Sequence, residues 1–270
     1  MKSRICLAVA LTALSTGAFA QTSNPIVAAN NRTAFELGVS NLTYHEFDSR
    51  HQVGSEFLDS EHGNLVALET DWSRQGSLFG LNDIYTSVGL QTTAGALDYN
   101  GYKLTTGEPM QQKHASSMLD LTMKLGKALP VTRNLQVTPY LGYVFHTWFR
   151  SGDETYLHHE LGAGVLTQYA VTPKLVVGVD AMLARTLGTM VLTDGITPRP
   201  ASRMTQTFAL TGDYALSRTR HLVATYQYRH FGYGATGDYE GKFSGLQGTW
   251  FEPSSRTSEN AFMVGMTMNF

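Results

Sequence analysis

Residues 261–270 read A-F-M-V-G-M-T-M-N-F, and this stretch decides the fold. Large apolar side chains stand at every second position, namely Phe262, Val264, Met266, Met268 and Phe270. The residues between them are smaller and more polar, apart from Met263. A two-residue period is typical of a β-strand that turns one face to an apolar medium. The sequence ends on Phe270 itself, without a polar tail.

Nine earlier segments show the same alternation, and together they predict a ten-stranded antiparallel sheet. In the first of them, Phe35 and Leu37 alternate with Glu36 and Ser40. The ten segments are roughly 33–44, 64–73, 83–99, 115–127, 135–149, 155–170, 174–186, 203–216, 221–232 and 261–270. An even strand number is what a bacterial single-chain barrel requires. We therefore expect an all-β, transmembrane, up-and-down β-barrel over residues 33–270.

A soluble sandwich or a lipocalin-like barrel would also give alternating strands. In those folds the apolar face points inward and the charged face meets water. Here the polar face mixes carboxylates with Gly, Thr and Gln, as a packed polar lumen would. Tyr and Trp gather near the segment ends, where the membrane interfaces of a barrel carry aromatic girdles. The rings assigned to these girdles are Tyr44, Trp72, Tyr99, Trp148, Tyr156, Tyr169 and Tyr214.

The connections between segments fall into two sets. Residues 45–63, 100–114, 187–202 and 234–258 form mostly long polar loops on one side, although the loop 150–154 is short. The other set is shorter, as in 171–173 and 217–220. Long outer loops and short periplasmic turns are the usual asymmetry of such barrels. The long loops are therefore predicted to face outward.

The N-terminus has the pattern of a secretory signal over residues 1–20. Lys2 and Arg4 precede a short apolar run, and Ala18-Phe19-Ala20 forms a cleavage site. Residues 21–32 are predicted to be a short periplasmic leader, mobile in solution. Cys6 is the one cysteine of the chain and lies in the signal. Export without disulfides fits a barrel, in which the closed sheet supplies the crosslinks.

The composition excludes several classes of protein. After removal of the signal, 18 Lys and Arg face 22 Asp and Glu, which gives a formal charge of −4. No basic run or basic face is visible, so nucleic-acid binding is not expected. No later segment has eighteen consecutive apolar residues, so the sequence does not predict a membrane-spanning helix. No cofactor is predicted.

The alternation places a set of charged side chains in the lumen. They are Glu36, Glu69, Asp71, Asp120, Lys124, His158, Glu160, Asp180, Asp213 and Arg229, with His146 beside them. Buried charges of both signs must pair or be hydrated. The main hypothesis is a salt-bridged plug that holds the shape of the barrel. The alternative is a narrow path for small solutes or ions, because open aqueous channels need about 16–18 strands.

The last outer loop carries Tyr239, Phe243, Trp250 and Phe251 among Gly and Ser residues. Aromatic side chains on such a loop suit recognition of a surface partner. The alternative is that these rings fold back over the mouth of the barrel or lie at the membrane interface.

In residues, the chain resembles the small Gram-negative outer-membrane β-barrel proteins at three places. These are the signal peptide, Val137-Thr138-Pro139-Tyr140-Leu141-Gly142-Tyr143 and the closing Met266-Thr267-Met268-Asn269-Phe270. The family includes OmpA-like, OmpW-like and opacity-type barrels, which serve as anchors, adhesins and narrow pores. The resemblance implies an outer-membrane location and contact with membrane lipid and lipopolysaccharide. It also implies periplasmic chaperones, barrel-insertion machinery that reads Phe270, and a possible surface ligand as partners.

Catalysis is a second alternative, since ten-stranded barrels are also the scaffold of the omptin surface proteases. The candidates are His158-His159-Glu160, Asp48 with His51, and Glu61 with His62, because a carboxylate can orient a His that activates water. No stretch matches an omptin's catalytic segments or the His-x-Ser pattern of lipid A deacylases. The protein is therefore predicted not to be an enzyme.

A metal site in the first loop is also conceivable from the residue types. His45, His51 and His62 stand there with Glu46, Asp48, Asp59 and Glu61, and imidazole and carboxylate are competent ligands. Their spacing matches no recognised site, and a solvated acidic loop is the simpler interpretation. No metal is predicted.

Overall fold

A computed structural model describes residues 24–50, 52, 54–103, 106–150, 154–243 and 245–270. The predicted signal peptide and His51 lie outside the described residues. The chain forms one helix, α1 (Pro25–Asn30), followed by strands. The strands are β1 (Arg32–Phe47), β2 (Phe57–Leu78), β3 (Leu81–Tyr102), β4 (Pro109–Lys127), β5 (Leu129–Pro130), β6 (Leu135–Arg150), β7 (Glu154–Thr172), β8 (Leu175–Leu192), β9 (Met204–Ala215), β10 (Arg220–Tyr233), β11 (Tyr239–Phe243), β12 (Leu246–Trp250) and β13 (Ser255–Asn269).

Ten of these strands close into one antiparallel barrel, which confirms the predicted fold class. The first strand pairs with the last, from Arg32 opposite Asn269 to Glu46 opposite Ser255. β4 pairs with β6 and joins the remaining strands, while β5 only extends the edge of the turn between them. Among the described residues, no helix is long and apolar enough to cross a membrane.

The two faces of the wall follow the sequence alternation. On β1, Phe35 and Leu37 are each 56% exposed, whereas Glu36 is buried. The same difference separates outward Phe262 from inward Met263 on β13. The rings of Trp72 and Phe270 stack at 6.5 Å between centroids at the end of the barrel where the short turns lie. An apolar outer band with aromatic residues at its edge is the surface of a transmembrane barrel.

The leader differs from the mobile segment that the sequence suggested. Residues 24–30 form a capped helix: the Asn24 side chain accepts a hydrogen bond from the Ile26 backbone, and Pro25 begins the first turn. Asn and Pro at these positions are recognised helix-start signals. Ile26 and Ala29 are buried inside the end of the barrel against Ala170 and Val176, as one apolar cluster. The leader therefore folds into the periplasmic opening.

The outer strands are longer than predicted. β2 begins at Phe57 and β3 continues to Tyr102, so much of two predicted loops is sheet. Beyond the membrane both faces of a strand meet polar surroundings, and the alternation that marks a strand in the sequence disappears. The last outer loop contains a hairpin, β11 and β12, and β13 begins at Ser255 instead of near residue 261.

Candidate functional site: the filled lumen

At the periplasmic end, the lumen is closed by helix α1 and a cluster of side-chain amides. Asn30 Nδ2 donates to Gln75 Oε1 at 2.8 Å and to Gln168 Oε1 at 2.9 Å. Gln168 Nε2 donates back to Asn30 Oδ1 at 2.7 Å, and Gln136 joins through Gln75 at 3.0 Å. All four residues are buried. The amides satisfy one another and tie the leader to three barrel strands.

Above this plug lies a polar cavity of about 150 Å³. Arg32 Nη1 pairs with Asp213 Oδ2 at 2.8 Å, and Lys124 pairs with Asp180. The described residues that line the cavity include five carboxylates and only these two cations: Glu36, Glu69, Asp71, Asp180 and Asp213, against Arg32 and Lys124. One oxygen each of Glu36 and Glu69 has no hydrogen-bond partner among the described residues. A polar space of this size can hold water that solvates these oxygens.

At mid-height, Arg229 joins two His–carboxylate pairs into one buried network. Its guanidinium contacts Asp120 Oδ1 at 2.5 Å and Glu160 Oε1 at 2.8 Å. His146 Nδ1 lies 2.7 Å from Asp120, and His158 Nε2 lies 3.0 Å from Glu160. The two imidazole rings pack together, with centroids 4.6 Å apart. The five side chains are almost completely excluded from solvent and occupy the lumen at this level.

Above the network, the lumen is filled with apolar and aromatic side chains. Tyr44 and Trp148 meet edge to face with centroids 5.0 Å apart. Trp148 Nε1 donates to Ser116 Oγ at 2.8 Å, so its polar atom is satisfied. The whole layer consists of Leu42, Tyr44, Leu65, Leu97, Met118, Trp148, Tyr156, Val191, Phe231 and Tyr233. These ten buried side chains pack against one another in the lumen between the cavity and the outer mouth.

This layer corrects the assignment of three girdle aromatics. Tyr44, Trp148 and Tyr156 have no exposed surface and point inward, whereas Tyr169 and Tyr214 are exposed on the outer wall. The three inward rings share the sequence parity of neighbouring lumen residues such as His146 and His158. Residues two positions apart on a strand point to the same face. The position of each ring relative to the neighbouring lumen residues was therefore the signal that it points inward.

At the outer mouth, Arg150 is surrounded by carboxylates that the sequence placed in a solvated loop. It contacts Glu46 Oε1 at 2.9 Å, Asp59 Oδ2 at 2.7 Å and Glu154 Oε2 at 3.1 Å, as well as Glu61. These residues lie on strand extensions beyond the apolar outer band. We call Arg150 and its four carboxylates the mouth cluster.

The mouth cluster continues through buried tyrosines. Tyr44 donates to Glu46 Oε1 at 2.5 Å, and Tyr156 donates to Glu252 Oε1 at 2.7 Å. Burial raises the pKa of Asp59 well above its usual range, and Glu46 adds to the shift although Arg150 opposes it. Burial, then Glu46 and Glu154, raise the pKa of Glu252 in the same way. For Glu61, burial acts upward but Arg150 and His114 outweigh it, so its pKa is lowered.

These shifts predict a pH dependence of the outer end of the barrel. A carboxyl group whose pKa is higher in the folded state than in the unfolded state favours folding when it is protonated. This contribution to the free energy of unfolding is complete below the unfolded-state pKa, about 4 for a carboxyl group. It is lost as the pH rises through the folded-state pKa. The pKa of Glu61 is lowered, so its contribution to stability is present above its unfolded-state pKa and is lost as the pH falls. We therefore expect hydrogen exchange in residues 234–255 to be better protected at pH 5 than at pH 9, after correction for intrinsic rates.

The Glu252→Gln variant removes one of the titrating groups and should flatten this dependence. Glu240→Gln, an exposed carboxylate of the hairpin, is the matched control and should leave it unchanged. Better protection of the wild-type protein at pH 9 than at pH 5 would show that the mouth cluster is not strained by ionisation.

The structure places the ten predicted lumen residues in two groups. Asp120, His158, Glu160 and Arg229 belong to the mid-height network. The other six line the cavity below it: Glu36, Glu69, Asp71, Lys124, Asp180 and Asp213. Sequence reasoning missed Arg32, which holds Asp213, and Arg150, because both lie at the ends of strands.

The four predicted recognition aromatics lie on or beside the β11–β12 hairpin and are half-buried. Phe243 packs edge to face on Trp250 at 5.3 Å, and Trp250 Nε1 donates to the Gly241 carbonyl at 3.0 Å. The Tyr239 hydroxyl accepts a hydrogen bond from the Arg199 backbone, and the Arg50 guanidinium covers Phe251 at 3.6 Å. The last outer loop thus contains a folded hairpin, and its aromatic side chains contact Arg199 and Arg50 of neighbouring segments.

Among the described catalytic candidates, His158 and Glu160 come together, with 3.0 Å between Nε2 and Oε1, and the others do not. His158 and Glu160 are buried in the lumen, while His159 faces outward and its Nδ1 lies 2.7 Å from the Tyr143 hydroxyl. Glu61 contacts Arg150, and His62 is exposed on the opposite face of β2. The partner proposed for Asp48, His51, lies outside the described residues. Within the part of the chain that is described, no group of three or more His, Cys, Asp or Glu is arranged to hold a metal ion.

No protein-family model matches the chain, and no curated protein matches it. Solved structures do. The outer membrane protease OmpT from Escherichia coli is 9% identical, covers 89% of this chain and 97% of its own, and has a TM-score of 0.52. An outer membrane channel from Pseudomonas putida F1 is 11% identical over 88% and 95% of the chains, with a TM-score of 0.42.

A third structure, the outer membrane protein OprG from Pseudomonas aeruginosa, is 10% identical over 89% and 96% of the chains, with a TM-score of 0.37. At such identities the likeness concerns the fold and not the activity. The fold, the apolar outer band and the polar lumen agree with it. The chain thus has a closed ten-stranded antiparallel β-barrel fold, which resembles that of the outer membrane protease OmpT.

Proposed function

We propose that this protein is a non-enzymatic, closed outer-membrane barrel whose lumen is a structural plug and whose outer loops meet the cell's surroundings. One observation carries this proposal: the lumen is filled in successive layers from α1 to the mouth cluster. The cavity between α1 and the mid-height network has room for solvent. A rigid filled barrel of this kind suits an anchor or a platform for loops.

The test is bulk permeability. Proteoliposomes that contain the refolded protein should swell no faster in arabinose than protein-free liposomes, while a refolded open porin swells quickly. Folding is verified beforehand by the heat-modifiable shift on gels. Solute-dependent swelling of the wild-type protein would contradict the proposal.

Deletion of the leader helix separates the contributions of the layers. Without residues 24–30, the periplasmic opening and the cavity become continuous, but the Arg229 network and the aromatic layer still close the bore. We expect the shortened protein to remain impermeable to arabinose and to lose stability, because Ile26 and Ala29 no longer bury their apolar surface. Urea titration measures the second effect. If the shortened protein lets liposomes swell in arabinose and the full-length protein does not, the barrier to solutes is α1.

A narrow ion path is the second candidate, and the cavity with its excess of carboxylates favours it. Such a path would have to open through both the mid-height network and the aromatic layer.

Enzymatic activity has a direct test of its own. Incubation of the refolded protein with a mixed peptide library and with lipid A, followed by mass spectrometry, should show no product, and any turnover that disappears in His158→Ala would overturn the non-enzymatic assignment.

A further inference from the structure

Three polar side chains stand side by side on the inner face of neighbouring strands at the level of the cavity. Glu36 on β1 lies directly opposite Glu69 on β2, and Glu69 lies directly opposite Gln91 on β3. All three line the polar cavity between α1 and the mid-height network. Opposite residues on antiparallel strands have Cβ atoms about 4.5–5.5 Å apart. The three side chains therefore share one stretch of the cavity wall.

Each of these side chains has a buried polar atom without a hydrogen-bond partner among the described residues. The atoms are Glu36 Oε2, Glu69 Oε2 and Gln91 Nε2. The side chains themselves have little contact with solvent, since Glu36 is 5% exposed and Gln91 is 9% exposed. A buried polar atom without a partner destabilises a fold. Three of them along one wall point to a bound ligand.

The two carboxylates of this wall also lack a counter-charge from the protein. Neither Glu36 nor Glu69 takes part in an ion pair with another described residue, because both cations of the cavity, Arg32 and Lys124, pair with aspartates instead. Like charges directly opposite each other on neighbouring strands destabilise a sheet. The missing ligand is therefore positively charged.

The chemistry of the three side chains suits a hard divalent cation. Ca²⁺ takes about 6–8 oxygen ligands, which are carboxylates, amide oxygens and water. No hydrogen bond to Nε2 fixes the orientation of the Gln91 amide, so its oxygen can turn to the same position. Because only two of the three side chains are carboxylates, the set differs from the clusters of three or more His, Cys, Asp or Glu that the described residues lack.

We propose that Glu36, Glu69 and Gln91 bind one hard divalent cation of the Ca²⁺ type at the wall of the cavity. The ion neutralises the two opposed carboxylates, and water in the cavity completes its coordination. By joining side chains of β1, β2 and β3, the ion stabilises this part of the barrel. The site goes beyond the closed lumen proposed above, because an ion held at the wall does not depend on whether the bore conducts.

The cavity adjoins a cleft on the periplasmic side. This cleft of about 940 Å³ lies beside α1 and is lined by Pro25, Arg74 and Lys174 among others. Asp213 and Val176 line both the cleft and the cavity, so the two spaces are neighbours. An ion from the periplasm therefore need not pass the mid-height network or the aromatic layer. Since Arg74 and Lys174 repel a free cation, the ion is best supplied while the protein refolds.

Refolding in non-ionic detergent with Ca²⁺ or with EDTA tests the site, and the heat-modifiable shift verifies folding. After removal of free ion, the wild type should retain one Ca²⁺ per barrel, measured by elemental mass spectrometry. The Glu36→Gln/Glu69→Gln variant should bind Ca²⁺ at least about tenfold more weakly, since both charged ligands are lost. Ca²⁺ should also raise the urea midpoint of the wild type, because a ligand that binds only the folded state stabilises it.

The double variant should show the opposite behaviour in EDTA. There its urea midpoint should exceed that of the wild type, because the opposed charges are gone, and Ca²⁺ should not change it. Glu259→Gln is the matched control, since Glu259 is a buried carboxylate that accepts a hydrogen bond from Ser40 and does not line the cavity. This control should retain Ca²⁺ as the wild type does. Gln91→Ala removes a neutral ligand and should weaken retention less than the double variant.

Two results would overturn the proposal. Equal retention of Ca²⁺ by the wild type and the double variant would place the ion elsewhere, for example at the carboxylates of the outer mouth. A wild type that retains no Ca²⁺ and has the same urea midpoint in Ca²⁺ and in EDTA would show that a proton neutralises the two carboxylates instead. If the double variant does not fold, the wild type and Gln91→Ala decide between these results. Neither result bears on permeability, so a failure here leaves the closed lumen to its own test.

Discussion

Replacing Arg150 with glutamine is expected to destabilise the outer end of the barrel by about 3–5 kcal/mol, the usual cost of removing one partner of a buried ion pair. Arg150 contacts four carboxylates, and its own side chain is only 5% exposed. Glutamine is neutral, so Glu46 and Glu61 would lose the counter-charge that they share, and Asp59 would lose a hydrogen-bond donor. Urea titration of the refolded protein in lipid vesicles, together with protease sensitivity of the outer loops, measures the loss.

A second variant tests whether charge is the cause. Neutralising two of the acids in the same background, as Glu46→Gln/Glu61→Gln/Arg150→Gln, should restore part of the lost stability. The control is Arg50→Gln, because Arg50 pairs with Asp238 at 2.6 Å at an exposed site. Exposed pairs contribute about 0–1 kcal/mol. An Arg150 variant with the same urea midpoint as Arg50→Gln would show that the mouth cluster does not depend on its cation.

The second large effect is expected at Arg229, the only cation in the described mid-height network. The Arg229→Gln variant leaves Asp120 and Glu160 buried without their shared counter-charge, and we again expect a cost of about 3–5 kcal/mol. The urea midpoint should fall, while the aromatic layer above keeps the lumen closed. The same vesicle preparation serves for both measurements.

The matched control for the Arg229→Gln variant is Lys113→Gln, which breaks an exposed ion pair with Asp98 on the outer wall. Adding Asp120→Asn and Glu160→Gln to the Arg229 variant should recover part of its stability, because buried charges without partners are then absent. Unchanged stability of Arg229→Gln alone would mean that water solvates the two carboxylates and that the lumen at mid-height is wet.

Much of the barrel could be predicted from the sequence because alternation is a direct consequence of strand geometry. A wall with lipid outside and polar side chains inside must change character at every residue, as Phe35, Glu36 and Leu37 do. The same rule located the side chains of the cavity and of the mid-height network. It could not show which of them pair, since Asp120 and Arg229 stand 109 residues apart in the chain.

Three features were not predicted, each for a physical reason. The sheet extends beyond the membrane, where both faces are polar and alternation fades; this hid Asp59 and Glu61 in an apparent loop. Tyr44 and Trp148 are of the residue types that also form aromatic girdles at membrane interfaces. Only their place in the inward–outward alternation of the strand distinguishes a lumen ring from a girdle ring. Helix α1 is stable because the barrel buries it, although its Asn24 and Pro25 start signals were readable in the leader.

Single-channel recording in a planar lipid bilayer tests the central claim most directly. The refolded protein, with insertion verified by its heat-modifiable mobility, should give no discrete current steps across a range of salt concentrations, because the aromatic layer and the Arg229 network close the bore. Stable steps that change with Asp180→Asn or Arg229→Gln would contradict a closed lumen and would establish a narrow ion path along these charges.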